Sequence, residues 1–353
     1  MTPSVDGPRT LIVSLQGIGN NLLALPLASA LARRDGRPVC MLTHSARVHD
    51  LLRIRSDVAE VITLGARRYH GAWRLTRLIG DLRARRFRRA VLAHPAGSKA
   101  AALVAIAGIP ERIAVVSPRM SAGARFLTHG RSYCQGLHDL EHNQWLAEMC
   151  DAHIDFERDW PPLRPEQGDI EGARAFIEAA GFDPDARYVG LHTGCDGDFA
   201  EKRWPDTSFA ALARSLYEET GRAAIVFDGP SEAGSGLRVA HLASTPVLAM
   251  NGWGGMTQAL GMLAFCDVFV SNDSGLMNLA AAAGVPCVAI FGPSEVARTR
   301  PWGARHRVVR ADRACVPCFH LGPWSGCIHP DLPCLVDVSV DAVVRSVREL
   351  LPK

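Results

Sequence analysis

The sequence predicts an α/β protein with two domains, each built on a parallel sheet. Two observations lead to this prediction. Short apolar runs that end in small or polar residues alternate with helical stretches, and one proline-rich segment divides that alternation into two similar halves. Alternating strands and helices are typical of βαβ units. The length of 353 residues suits two cores, at roughly 100 to 200 residues per domain.

The first half of the chain contains five predicted strands. They lie at residues 10–15, 39–43, 60–64, 90–93 and 113–116. The first strand leads into the loop Gly17-Ile18-Gly19 and a leucine-rich helix over residues 20–34, and arginine-rich or alanine-rich helices separate the others. This pattern predicts an α/β domain over residues 1–160.

A proline-rich stretch, DWPPLRPEQ over residues 159–167, marks the domain boundary. Proline removes backbone donors and resists helix, so this composition favours a semi-rigid linker. Strands are then predicted at residues 188–192, 224–227, 247–250, 268–271 and 287–291, within a second domain over residues 168–338. The segment 339–353 contains a final amphipathic helix over residues 340–351. We expect a cleft between the domains, lined by loops from the carboxyl ends of both sheets.

The small net charge of +3 conceals an asymmetry. Residues 1–155 contain 21 Lys and Arg against 12 Asp and Glu, whereas residues 156–353 contain 18 against 24. Nine arginines lie from Arg67 to Arg89 with Asp81 as the single acidic residue among them. Such a cluster attracts phosphates or anionic lipid headgroups, and the alternative is a solvated helix face. The overall balance gives no reason to expect a nucleic-acid binder.

The first residues, MTPSVDGPRT, lack the charged and apolar regions of a signal peptide. The longest apolar stretch, residues 279–291, is interrupted by Gly284 and Pro286 and is shorter than the roughly 18 residues that a membrane span needs. We therefore expect a cytoplasmic protein, at most peripheral on the inner membrane through the Arg67 to Arg89 region.

The strongest functional motif is Ser271-Asn-Asp-Ser-Gly-Leu-Met-Asn278. A strand ends at Ser271 and a helix begins near Ser274, so free backbone N–H groups of the first turn form an anion site, which Gly275 lets a ligand approach closely. Asp273 is expected to accept hydrogen bonds from sugar hydroxyls. The alternative is that Asp273 only caps the helix.

Two further segments end strands of the same predicted sheet. Thr193 and Gly194 follow one strand, and Lys202, one of three lysines in the chain, comes soon after as a candidate phosphate partner. Its alternative is a solvated pair with Arg203. In the other segment, DGPSE, Glu232 is a candidate ligand of ribose or base. The first loop does not predict dinucleotide binding, because Leu22 stands where G-x-G-x-x-G needs its third glycine.

Taken together, these segments resemble glycosyltransferase family 9, the heptosyltransferases that transfer a heptose from ADP-heptose to lipopolysaccharide core. SNDSGLMNLAAAAGVPCVAIFGPSEVARTRPWG is similar to the family's NDSG-x-M-H block and its following turn. EKRWP, DGPSE and GIGNNLLALPLASAL fall where the family has its other segments. The resemblance implies the GT-B fold: an acceptor domain, a nucleotide-sugar domain and a C-terminal helix that crosses back to the first domain.

The resemblance also implies the site residues and an inverting displacement that needs no cofactor. The substrate and nucleotide-sugar site would comprise Gly19, Thr193, Gly194, Lys202, Glu232, Asp273, Ser274, Gly275 and Asn278, the last in place of a family histidine. Lys202 and the helix start at Ser274 would stabilise the departing diphosphate.

The catalytic base is the main departure from the family pattern. The family has an aspartate directly after the second glycine of the first loop, and this chain has Asn20. Because an amide cannot act as a carboxylate base, the sequence leaves several substitutes open. They are His94, His138, Asp139, Glu141 and His142.

Four cysteines form a separate candidate metal site. Cys315, Cys318, Cys327 and Cys334 have the spacing C-x2-C-x8-C-x6-C, which suits one tetrahedral zinc or iron ion. The alternative is a set of reduced thiols. A subgroup of the family that glycosylates autotransporter proteins looks to use comparable cysteines for iron.

The sequence therefore favours transfer of a heptose-like sugar from an ADP-sugar to an acidic glycolipid. Two alternatives stay open: transfer to a protein or small-molecule acceptor by an enzyme with cysteine-bound metal, and a catalytically silent scaffold that binds nucleotide sugars. An epimerase of nucleotide sugars would share the GT-B fold, but its motifs are not seen.

Overall fold

The chain forms two compact units, Met1–Pro162 and Leu163–Lys353, in a computed structural model. The structure describes residues 9–71, 73–160, 163–195, 200–229, 232, 234–319, 326–329 and 331–352. In these segments no helix is long and apolar enough to cross a membrane.

The first unit contains a six-stranded parallel sheet in the order β3-β2-β1-β4-β5-β6. The strands are β1 (Thr10–Ser14), β2 (Val39–Thr43), β3 (Val58–Thr63), β4 (Arg89–Leu92), β5 (Glu111–Val116) and β6 (His129–Ser132). The helices are α1 (Ile18–Leu23), α2 (Leu25–Asp35), α3 (His49–Arg53), α4 (Arg74–Ala84), α5 (Ser98–Ile106), α6 (Asp139–Glu148) and α7 (Phe156–Asp159). The central strands β1 and β4 are almost entirely buried, because helices cover both faces of a parallel sheet.

The second unit repeats this topology, with the strand order β12-β11-β10-β7-β8-β9. Its strands are β7 (Tyr188–His192), β8 (Ala224–Val226), β9 (Val247–Ala249), β10 (Cys266–Asn272), β11 (Cys287–Ile290) and β12 (His306–Val309). The helices are α8 (Gln167–Ala179), α9 (Asp206–Thr220), α10 (Ser235–Ala243), α11 (Met256–Leu263), α12 (Gly275–Ala282), α13 (Val296–Thr299), α14 (Pro333–Val336) and α15 (Val340–Arg348).

Both sheets reverse their strand order at one central pair, β1 with β4 in the first unit and β7 with β10 in the second. Connections leave these two strands in opposite directions, which opens a crevice at their carboxyl ends. In open α/β sheets ligands bind at such a switch point. The topology therefore assigns one candidate site to each unit.

Three features differ from the sequence prediction. The predicted helix over residues 20–34 is two helices that meet at Ala24, because Pro26 has no N–H and its ring clashes with the carbonyl of Leu22. The edge strands β6 and β12 were missed, since edge strands need little apolar sequence; all four residues of β6 are exposed. Finally, Val343, Val344 and Val347 of α15 belong to the core of the second unit. This helix is therefore part of that unit, whereas we expected it to cross back to the first domain.

Candidate functional site

The switch point of the second unit brings together the segments that follow β7 and β10. Ser271 of β10 pairs with His192 of β7, so Thr193 and Asp273 emerge side by side. The Asn272 amide nitrogen donates to the carbonyl oxygens of Thr193 at 2.8 Å and Gly194 at 3.1 Å. Its amide oxygen accepts from the backbone N–H of Trp204 at 3.0 Å. Asn272, which sequence reasoning passed over, thus ties these segments together and helps to fix the approach of Lys202.

The first turn of α12 is capped by Ser274. Its Oγ accepts from the backbone N–H of Met277 at 3.2 Å and lies 2.9 Å from the Oγ of Ser271. Asn278 is buried and its amide nitrogen donates to the carbonyl oxygen of Ser274 at 3.3 Å. The alternative in which Asp273 only caps this helix is therefore wrong.

Asp273 instead pairs with Lys202. The Lys202 Nζ donates to Asp273 Oδ2 at 2.8 Å, and only 13% and 10% of the two side chains are exposed. Thr299 Oγ1 donates to Asp273 Oδ1 at 3.3 Å, and the Lys202 Nζ lies 4.6 Å from the ring centroid of Phe319. Burial alone would raise the pKa of Asp273, but the charge and hydrogen bond of Lys202 outweigh it and lower that pKa. Lys202 is not a solvated lysine.

Glu232 packs directly on Gly194. A Cβ added at Gly194 would lie 2.4 Å from Glu232 Cγ, a clash that glycine alone avoids. Glu232 is 8% exposed, and its carboxylate lies 3.7 Å from the Arg203 guanidinium. Nearby, the Oγ1 of Thr193 lies 2.6 Å from the Oγ of Ser235. An ammonium group, a helix N-terminus and a carboxylate thus converge at one switch point, a set that suits a diphosphate and hydroxyl groups.

The switch point of the first unit contains Asn20, in the first turn of α1 beside Gly19, and His94, two residues after the end of β4. The Asn20 amide nitrogen donates to Asp139 Oδ2 at 3.3 Å. His94 Nε2 lies 3.6 Å from Asp139 Oδ1, and both of these side chains are fully buried. The His142 ring packs on the His94 ring, with centroids 4.4 Å apart. The structure thus assembles four of the residues that the sequence analysis had singled out.

His138 and Glu141 have a structural role. His138 Nδ1 accepts from the backbone N–H of Leu140 at 3.1 Å, and the Glu141 carboxylate accepts from the backbone N–H of His138 at 2.6 Å. This reciprocal arrangement is a capping box at the start of α6. Neither residue is a substitute for the missing base.

The side-chain donor atoms of His94, Asp139 and His142 lie within 4.8 Å of one another. Ligands of these types hold transition metals. However, His142 Nδ1 donates to the carbonyl oxygen of His138 at 3.1 Å and Nε2 accepts from the backbone N–H of Cys134 at 3.3 Å. Coordination of a metal ion by His142 would break one of these hydrogen bonds. The geometry therefore suits a neutral His142 imidazole better than a metal ligand.

Cys334 is the buried member of the four late cysteines, and Cys315 is exposed. Burial raises the pKa of Cys334 to about 11, with smaller contributions from Cys327, Cys318 and Cys315. Cys318 also lies next to Phe319, the ring that covers Lys202, and both backbone N–H groups donate to the carbonyl oxygen of Pro293. Residues 320–325 and 330, which fall within this cysteine segment, lie outside the described residues.

A pocket of about 720 Å³ opens beside the carboxyl ends of β1, β2 and β3. The lining combines apolar side chains with four arginine, lysine or histidine side chains. The lining residues are Leu15, His44, Leu64, Tyr69, His70, Arg74, Leu75, Leu78, Lys99, Leu103 and two glycines. Trp73 and Leu75, which lie at the start of α4, are 68% and 55% exposed. Part of the arginine cluster is neutralised, because Arg68 donates to Asp81 at 2.6 Å and Arg89 to Glu111 at 2.7 Å.

Relatives with assigned functions include lipopolysaccharide and lipooligosaccharide heptosyltransferases. The chain is 27% identical over 357 residues to lipopolysaccharide heptosyltransferase 2 of Escherichia coli K12, a match that covers 97% of this chain and 98% of that protein. A shorter match, 38% identical over 90 residues, covers 25% of this chain and 27% of lipooligosaccharide heptosyltransferase 2 of Campylobacter jejuni.

Solved structures share the fold. The E. coli ADP-heptose lipopolysaccharide heptosyltransferase II superposes with a TM-score of 0.73 at 23% identity and covers 97% of this chain and 98% of its own. An E. coli heptosyltransferase with ADP-2-deoxy-2-fluoro heptose gives 0.70 at 20% identity, over 97% and 99%. An iron-containing dodecameric glycosyltransferase from enterotoxigenic E. coli gives 0.52 at 15% identity, over 98% and 76%. The expected GT-B fold is confirmed.

The family model described as glycosyltransferase family 9 (heptosyltransferase) matches residues 75–329. This range contains the SNDSG block, the Lys202 segment and Glu232, which carried the resemblance in sequence. It spans well over half of the chain, and the protein therefore belongs to glycosyltransferase family 9.

Proposed function

We propose that this protein transfers a heptose-like sugar from an ADP-sugar to an acidic glycolipid of the lipopolysaccharide core, with inversion at the anomeric carbon. The observation that carries the proposal is the Lys202–Asp273 pair beside the capped N-terminus of α12 at the second switch point. The donor and the acceptor class are inferred from the family, from the full-length E. coli relative, which is a lipopolysaccharide heptosyltransferase, and from the solved heptosyltransferase complex with an ADP-sugar.

The donor would bind with its diphosphate at the first turn of α12. The free N–H groups of that turn and the Lys202 ammonium would hold the phosphate oxygens, and Gly275 leaves room for close approach. As the acceptor oxygen forms its bond to the anomeric carbon, the bond from that carbon to the phosphate oxygen breaks, and its electron pair leaves with ADP. The growing negative charge on the diphosphate is what Lys202 would stabilise. Glu232 would accept hydrogen bonds from hydroxyl groups of the donor.

The acceptor would bind in the first unit. The pocket beside α4 offers Arg74, Lys99, His44 and His70 to anionic groups, and its leucines to apolar ones. Trp73 and Leu75 are exposed next to it, a combination that suits an anionic membrane surface, since aromatic and cationic side chains favour the headgroup region. A flotation assay with phosphatidylglycerol-containing vesicles tests this docking. We expect W73E to lose most of the bound fraction, and equal flotation would contradict it.

A calorimetric and kinetic experiment tests the whole proposal. ADP, ADP-heptose, UDP and UDP-glucose are titrated into the protein, and transfer from ADP-heptose to a truncated lipopolysaccharide core is followed by product mass. We expect binding of the ADP compounds in preference to the UDP compounds, and a product heavier by one heptose. Absence of ADP-heptose binding would overturn the donor assignment, while binding without transfer to the core would overturn the acceptor assignment.

The cysteine segment supports a second feature, a bound structural metal. The support for this metal is the spacing C-x2-C-x8-C-x6-C of Cys315, Cys318, Cys327 and Cys334, since thiolate sets bind zinc or iron. Elemental analysis of protein purified without added metal should find about one equivalent, and C315A/C318A should lose it. A content far below one equivalent in the wild type would leave these residues as reduced thiols. A metal-bearing protein that acts on a polypeptide instead of the core would favour the protein-acceptor alternative.

A further inference from the structure

The carboxylate of Asp139 is the most unusual buried group of the first unit. Asp139 is 0% exposed. A carboxylate is rarely buried so completely, because the desolvation of its ionised form is costly. Its contacts include the Asn20 amide at 3.3 Å and His94 Nε2 at 3.6 Å. Buried titratable groups that are held at a ligand-binding position are frequently functional.

Asp139 is held at the switch point by a rigid frame. Asn143, one helical turn along α6, donates from its amide nitrogen to the carbonyl oxygen of Leu23 at 2.9 Å, and its amide oxygen accepts from the backbone N–H of His94 at 3.0 Å. All the side-chain atoms involved are buried. These hydrogen bonds connect the end of α1, the segment after β4 and α6, and they hold the backbone of Asp139 close to that of Asn20.

The orientation of the Asn20 amide follows from its partner. An ionised carboxylate only accepts hydrogen bonds, so the nitrogen of the amide must face Asp139 and its oxygen must face away. Asn20 is partly exposed whereas Asp139 and His94 are buried. The Asn20 nitrogen thus occupies a hydrogen-bonding position at Asp139 Oδ2, which a hydroxyl donor would take if the amide turned aside.

We propose that Asp139 is the general base for the acceptor hydroxyl and that Asn20 is a positioning residue. The inference rests on the proposed glycosyl transfer. When the Asn20 amide turns aside, the acceptor hydroxyl donates to Asp139 Oδ2; its O–H bond breaks and the proton moves to that oxygen. The acceptor oxygen then bonds to the anomeric carbon, and the carbon–phosphate oxygen bond breaks with its electron pair on the diphosphate. His94 Nε2 lies 3.6 Å from Asp139 Oδ1, on the other oxygen of the carboxylate.

The test uses the full chain and four forms of the Asn20–Asp139 pair. D139N should lower kcat by about 100-fold or more, the contribution of general-base catalysis, with the Kd for ADP-heptose within threefold of the wild type. The swap N20D/D139N keeps one amide and one carboxylate in the pair and returns the family's aspartate to position 20, so its recovery of transfer would show that the defect of D139N is the loss of a carboxylate and not a structural fault. N20D alone places two carboxylates together, which share a proton, so the acid limb of its pH–rate profile should move to higher pH.

D159N is the matched control, because Asp159 is also a buried carboxylate of the first unit and pairs with Arg33 at 2.5 Å. It should lower stability and leave kcat unchanged. Wild-type transfer with D139N within threefold of its kcat would overturn the base assignment alone, whereas no transfer by the wild type would overturn the proposed function and the base together. If D139N does not fold, D139S decides: a folded D139S with a kcat within threefold of the wild type overturns the proposal, whereas a D139S that loses transfer and regains it when formate supplies the missing carboxylate supports it.

Discussion

Replacing Lys202 with glutamine tests the donor site most directly. The Lys202 Nζ and Asp273 Oδ2 are 2.8 Å apart, where two unit charges attract by about 6 kcal/mol at an effective dielectric constant of about 20. The desolvation of both groups offsets part of this attraction. Since K202Q leaves a carboxylate with a 10% exposed side chain without its cation, we expect it to lower the free energy of unfolding by about 3–5 kcal/mol.

The same variant should bind ADP poorly. A hydrogen bond to a charged group contributes about 1.5–3 kcal/mol, and each 1.4 kcal/mol is about tenfold in affinity, so K202Q should raise the Kd for ADP by about 10-fold to 100-fold. The double variant K202Q/D273N removes the unpaired charge. It should regain stability without regaining affinity, which separates the role of Lys202 in binding from its role in folding.

Urea unfolding and ADP calorimetry measure these effects. Because Lys202 lowers the folded-state pKa of Asp273, the stabilisation is fully present above the unfolded pKa of the carboxyl and is lost as the pH falls through the folded one. The stability gap between wild type and K202Q should therefore narrow in acid. R348Q is the control, since Arg348 forms an exposed pair with Glu219 at 2.7 Å and should cost under about 1 kcal/mol. Wild-type ADP affinity in K202Q would refute the reasoning.

Two further predictions concern packing and pH. G194A places a Cβ 2.4 Å from Glu232 Cγ, so it should lower the free energy of unfolding by about 1–3 kcal/mol and weaken ADP-heptose binding. The control G172A lies in open space on α8 and should raise the free energy of unfolding by about 0.5–1 kcal/mol. Equal melting temperatures for the two variants would contradict this prediction. Burial lowers the pKa of His306 to about 4, so stability present above pH 6.5 should fall between pH 6.5 and pH 4 because the unfolded state binds the extra proton. Urea unfolding of H306Q over this window should show a flatter dependence, and an unchanged slope would count against the buried neutral form.

The central strands of both sheets were predictable because their information is local. A strand buried on two faces is a continuous apolar run, so the prediction over residues 39–43 and 188–192 matches β2 and β7 to the residue. Edge strands carry no such run, and β6, with the sequence HGRS, is defined by its pairing with β5. That pairing depends on residues more than ten positions away, which no local pattern records.

The donor site was predictable in composition but not in arrangement. Lys202 and Asp273 were each singled out as polar residues that follow a strand, yet their contact spans 71 positions and gave no signal in sequence. Asn272 was overlooked because it is the last residue of a strand. Its position as an amide inside the SNDSG block could have suggested a structural role. In the structure its amide nitrogen donates to the segment after β7 and its amide oxygen accepts from Trp204. The order of strands around the switch point, rather than any motif, explains why these residues meet.

The meaning of Asn20 depends on a residue 119 positions away. In sequence, an amide at this position indicates the loss of a base and favours a silent scaffold. In the structure, the amide donates to a carboxylate that is already present and fully buried. An aspartate at position 20 would place two negative charges about one hydrogen bond apart in a poorly solvated site, and one of them would have to be protonated. Asparagine instead offers the buried Asp139 carboxylate a hydrogen-bond donor without adding a second negative charge, so the pair still contains one carboxylate.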